Sequence, residues 1–139
     1  MKNQPDEVTR FRLHRIDVVK ATKQLGLAMR VYANSHTNRY ATNFDQLKNE
    51  LEGCGVTPAG KIVGDVKLND IEFVNAGLVR ETWPQTIMFR EIAPRKTPEG
   101  KWERVYGSAD GSVQTITSED GNFEVWENEQ PVPPSAAGQ

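Results

Sequence analysis

A single cysteine, Cys54, leaves no internal partner for a disulfide, and it leaves the redox compartment undecided. Histidine is equally scarce. His14 and His36 fall on a basic stretch and in the polar segment that follows it, outside any metal-ligand spacing. No phosphate-binding loop, dinucleotide fingerprint or zinc motif occurs. Cys54 lies between Gly53 and Gly55 with nothing local to activate it, so nucleophilic catalysis has no support and the chain reads as non-enzymatic. No run approaches the ~18 apolar residues of a membrane span, and no signal-peptide core precedes a cleavage site, so no membrane insertion is expected of the chain as given. Internal repeats are absent, and a net charge of −2 argues against a general nucleic-acid binder.

What is present suits one modest core. The 139 residues are 37% hydrophobic, within the ~100–200 residues that one domain usually serves. We expect one domain over residues 1–129. The tail from Gln130, with Pro131, Pro133 and Pro134, is expected to be disordered. Charge is segregated. Residues 1–40 hold eight Lys/Arg against three acids, whereas residues 119–139 hold five acids and no base. Such ends can attract each other within the fold or between neighbouring subunits.

Pattern then separates helix from strand. Asp6 and Glu7 follow Pro5, favouring a helix start, and Val18, Ala21, Leu25, Ala28, Met29 and Tyr32 recur at three- and four-residue steps. A helix from residue 6 to about 36 is predicted, ending in the polar cluster Asn34 to Asn38. Residues 43–51 read as a short second helix capped by Thr42 or Asn43 and closed by Gly53 and Gly55. Residues 56–69 read as loop. Alternation at 70–74 and 86–91 predicts strands, and residues 94–100 a polar turn. The runs 102–109 and 112–117 flank Asp110-Gly111, which predicts a hairpin with a tight type I′ turn. Residues 122–127 could form a closing helix. The fold class is α+β: a long N-terminal helix packed on a three- to four-stranded antiparallel sheet.

Two stretches carry a resemblance. Lys23-Gln24-Leu25-Gly26-Leu27-Ala28-Met29-Arg30-Val31-Tyr32-Ala33-Asn34 leads into Arg39-Tyr40 and Asn43-Phe44-Asp45-Gln46-Leu47, and Val105 to Val113 holds the Ala-Asp-Gly hairpin. In that order they resemble type II secretion pseudopilins, members of the type IV pilin-like family, over about two-thirds of the chain. The resemblance implies a pilin-like arrangement and a structural subunit acting through protein–protein packing, with subunits of a pilus-like assembly or with itself. It also implies a bacterial protein anchored to the inner membrane in full-length form and working on the periplasmic side. The basic leader and apolar helix of such proteins are not in this chain, which is expected to be the soluble globular part or a domain fused to something else. Gly100 and Ser112 stand where many relatives carry histidines, so no role of those histidines carries over. A similarity to C-terminal domains of bacterial transcription regulators, sigma factors included, gives the alternative: a regulatory or sensing domain, cytoplasmic if fused to such a protein.

Candidate interaction residues are Arg15, Lys23 and Arg30 on the basic helix, and Trp83 beside Pro84. The resemblance also implies a Ca²⁺ site in a C-terminal loop, for which Glu119, Asp120 and Asn122 around Gly121 offer oxygen ligands. Trp102 and Trp126 are expected in the core.

Overall fold

Asp6 opens the first helix by accepting a hydrogen bond from the Thr9 amide at 2.8 Å, and that bond holds its carboxyl below the usual carboxylate range. In the computed structural model, which describes residues 6–75 and 84–131, helix α1 runs Glu7–Asn34. It ends as the composition predicts. Thr37 and Asn38 both take left-handed backbone angles, and the Asn38 amide turns back to the Ala33 carbonyl at 2.8 Å. Val18, Ala21, Leu25, Ala28 and Met29 are buried along one face. The first ten residues of the helix carry no fully buried position, though Phe11, His14 and Arg15 are half-buried.

The second helix is shorter than the sequence suggests. Asn43 caps only the turn before the helix, its side chain accepting from the Gln46 amide at 2.9 Å, and the helix itself starts after Leu47 with no side-chain cap. Residues 44–47, however, form tightened turns with bonds spanning three residues, and helix α2 is Lys48–Gly53. The segment expected as loop holds a small hairpin, strand β1 (Lys61–Val63) paired with strand β2 (Val66–Lys67), and a 3₁₀ turn at Leu68–Asp70. Gly64, with φ +56°, makes that tight reversal possible. Runs of two and three residues are too short to show alternation, so the hairpin left no periodic signal.

Among the described residues the main sheet has five antiparallel strands rather than three or four: β3 (Ile71–Phe73), β4 (Ile87–Glu91), β5 (Arg95–Lys96), β6 (Trp102–Ser108) and β7 (Val113–Ser118). Strand β7 pairs along β6 from residue 102 to 107, so β4 and β5 share the other edge of β6, one at each end. A bulge explains the loose alternation in β4. Ile87 pairs with Ser108 and Phe89 with Gly107, leaving Met88 as the extra residue, so Met88 and Phe89 both enter the core beneath α1. The β6–β7 turn also differs from expectation. Gly111 takes φ +91° while Asp110 stays in ordinary backbone space, and the Gly111 amide bonds the Ser108 carbonyl at 2.9 Å. This is a type I turn followed by a left-handed glycine, not type I′.

Alternation along β6 divides its residues between two cores. Val105 packs beneath α1 with Leu25, Met29 and Phe89. Tyr106 turns to the opposite face with Ile87 and Phe123, beside helix α3 (Glu124–Asn128). Each large apolar side chain so buried contributes roughly 1.5–3 kcal/mol. Gly107 lets α1 approach: a Cβ there would stand 2.7 Å from Thr22 Cγ2.

Candidate functional site

Two charged clusters lock the helices to the sheet. On the α1 side, Glu103 of β6 and Glu91 of β4 are buried carboxylates. Arg15 Nε and Nη2 donate to the two Glu103 oxygens at 2.7 and 2.8 Å. Arg95 Nε and Nη2 donate to Glu91 at 2.8 and 3.0 Å, and its Nη1 stands 3.1 Å from Glu103 without hydrogen-bond alignment. The pairing with Glu103 raises the Arg15 pKa. The Phe11 ring lies beside both guanidinium groups, its centroid 5.4 Å from Arg15 Cζ and 5.1 Å from Arg95 Cζ. Glu91 also accepts from the Val105 amide at 2.9 Å, so both carboxylates are paired and bonded as buried charges require.

On the opposite face, Arg90 donates to Glu72 at 2.6 Å and to Glu127 of α3 at 2.8 Å. Arg104 Nη1 stands 3.5 Å from the same Glu127. The buried Tyr106 hydroxyl donates to Glu127 at 2.5 Å, and burial, then the carboxylate beside it, push its pKa far above the ordinary phenol value. The Trp126 ring packs against Tyr106 at a tilt of 49°, with centroids 4.5 Å apart. Apart from the buried Arg95 Nη1, which lacks an aligned acceptor, both clusters consist of close ion pairs, and their geometry fixes α1 and α3.

The residues singled out in the sequence are dispersed. Arg15 is the α1 partner of Glu103. Arg30 Nη1 donates to the Asp110 carbonyl at 2.8 Å, fastening α1 to the hairpin turn. Lys23 is exposed, and Trp83 lies outside the described residues, as does the chain from 132 onward. The acidic C-terminal segment pairs with the sheet: Glu119 with Lys101 at 3.3 Å and Glu127 with Arg90 and Arg104.

At the suggested Ca²⁺ loop, the oxygens serve the turn itself. Asp120 accepts from the Asn122 amide at 3.0 Å and from the Ser118 hydroxyl at 3.0 Å, bonds that lower its pKa. The Asn122 side chain accepts from the Glu124 amide at 2.9 Å. Among the described residues no three His, Cys, Asp or Glu side chains are grouped to hold a metal. His36 stacks on Tyr32 at 3.7 Å, and His14 Nδ1 stands 3.6 Å from Asp65. The Cys54 thiol is half-buried, and burial raises its pKa, so it is a poor nucleophile at neutral pH. Trp102 and Trp126 pack half-buried against the α3-side core. A cleft of about 240 Å³ between α2 and the segment 56–60 is lined by Phe44, Leu51, Val56 and Leu68 among polar side chains.

The outward face of α1 is a feature that the single-stripe reading passed over. Leu13, Ile16, Leu27 and Val31 are each between 42% and 52% exposed, on the side directly away from the core. Lys20 and Lys23 stand between them, exposed and without an ion pair among the described residues. From Thr9 to Asn34 this face carries no carboxylate among its exposed residues. The sequence does hold the signal: Leu13, Ile16, Leu27 and Val31 recur at helical spacing on the side away from the core stripe. Searches against family models, curated proteins and solved structures found no match to this chain.

Proposed function

We propose that this chain is a non-enzymatic assembly module, resembling the globular part of a type II secretion pseudopilin, that works by packing its surface on other protein subunits. The supporting observation is the outward face of α1, where four large apolar side chains remain exposed although both faces of the sheet are already covered. Leu13 with Ile16 and Leu27 with Val31 form two exposed apolar pairs on one helix face, with Lys20 and Lys23 between them. Interaction surfaces present such a mixture of apolar and polar side chains. Packing requires no bound group, and the loop at Glu119, Asp120 and Asn122 serves here as a turn. On this reading the domain works on the periplasmic side, carried by an upstream inner-membrane anchor.

The test is cross-linking in the producing bacterium, in the full-length protein. A benzophenone amino acid placed at Leu27 is expected to yield adducts with membrane-anchored pilin-like subunits or with the protein itself, and one placed at exposed Lys61 on β1 is not. Adducts at Leu27 with transcription machinery would assign the domain to a regulator instead and overturn the assembly reading.

A further inference from the structure

The outward surface of α3 is the counterpart of the outward face of α1. Val125 is 72% exposed, the most exposed large hydrophobic residue among those described. It is flanked by Glu124 and Glu129, both exposed and neither in an ion pair among the described residues. Glu127, which points the other way, is occupied by Arg90, Arg104 and Tyr106. One surface therefore presents aliphatic side chains around two unpaired lysines, and the other an aliphatic side chain beside two unpaired carboxylates. Each supplies what the other lacks.

Building on the assembly reading, we propose that the occupant of the α1 face is a second copy of this chain, bound through its α3 surface: Lys20 and Lys23 face Glu124 and Glu129, and Val125 sits against the aliphatic stripe. The two patches lie on opposite faces of one sheet, so a single molecule cannot satisfy both internally. A pair joined in this way leaves one α1 face and one α3 face unused at its ends. The contact is heterologous, and repeated it builds a row of subunits rather than a closed two-fold dimer. Every charge in it is exposed, so added salt weakens it.

Sedimentation velocity over a concentration series tests this, at low and at physiological salt, with circular-dichroism melting to verify folding. The wild-type chain is expected to sediment faster as concentration rises, less so at the higher salt. Lys20→Glu with Lys23→Glu, or Glu124→Lys with Glu129→Lys, is expected to weaken association about tenfold, and the four changes together to restore it. A monomer at every concentration overturns the proposal, as does association indifferent to both swaps or a combined variant that fails to recover. Capture of the wild-type chain by phosphatidylglycerol vesicles, without self-association, also overturns it and assigns the α1 face to an anionic lipid surface. Leu27 adducts with other pilin-like subunits in a protein that stays monomeric would sink the self-contact and leave the assembly reading standing.

Discussion

Arg15 of α1 and Glu103 of β6, 88 residues apart in sequence, form a bidentate ion pair at 2.7 and 2.8 Å that fixes the N-terminal end of the helix over the sheet. The two partners are unequally placed: the Glu103 side chain is 3% exposed and that of Arg15 36%. Losing Glu103 leaves Arg15 without its carboxylate and Arg95 with Glu91 alone, whereas losing Arg15 leaves Glu103 with Arg95 3.1 Å away. Glu103→Ala is therefore expected to cost about 3–5 kcal/mol in urea unfolding. Arg15→Ala should cost about 1 kcal/mol, because solvent screens its exposed side. Equal losses for the two variants would show that the pair does not carry the buried charge.

The Tyr106 hydroxyl gives the fold a dependence on alkaline pH. Its pKa is raised in the folded chain, so the neutral phenol is favoured there, and the stability it contributes is complete below the unfolded value of about 10. Above that value stability falls, because the unfolded phenol ionises while the folded one does not. Tyr106→Phe removes the donor to Glu127 and is expected to cost about 1 kcal/mol at neutral pH, the carboxylate keeping Arg90 and Arg104. The variant should also lose part of the decline between pH 10 and 12 in chemical denaturation. An unchanged alkaline profile would dissociate Tyr106 from it.

At the β6–β7 turn, backbone and side-chain effects can be separated. A Cβ on Gly111 would stand 2.1 Å from Arg30 Nη1, and its φ of +91° is unfavourable for any residue with a side chain. Gly111→Ala is expected to destabilise by the backbone strain of roughly 1–2 kcal/mol plus the displacement of Arg30 from the Asp110 carbonyl. In an Arg30→Ala background the second effect disappears and the strain remains. A double-mutant cycle should therefore show a smaller cost for Gly111→Ala when Arg30 is absent. Strict additivity would mean that the guanidinium moves aside freely.

The layout of this molecule was legible where a pattern runs long enough to be periodic. Helix α1 repeats its buried stripe over four turns, and β6 and β7 alternate over six or seven residues, so each declared its type and its inward face. The hairpin at 61–67 has strands of two and three residues, and the bulge at Met88 breaks alternation where β4 enters the core. The charged clusters were hidden for another reason. Arg15 and Glu103 read as ordinary surface charges until the chain folds and brings distant segments together. Glu103 shares the face of Val105, and that shared parity was the only local sign of its burial. The outward stripe of α1 was visible in the spacing, but a search for one apolar face stops once the stronger stripe is found.

That second stripe leads to the sharpest contrast along the helix. Leu25 and Leu27 are two residues apart and of one type, yet Leu25 is fully buried and Leu27 46% exposed. Leu25→Ala opens a cavity beneath α1 and is expected to cost about 3–5 kcal/mol. Leu27→Asp removes no core contact, and its effect on folding should stay within about 0.5 kcal/mol. If the outward face exists for docking, Leu27→Asp must lose association while its melting curve stays at the wild-type position. Leu25→Ala must behave in the opposite way, melting earlier while the molecules that remain folded associate as before. A Leu27→Asp chain that unfolds as readily as Leu25→Ala would instead make the stripe a part of the fold, with no surface left for a partner to read.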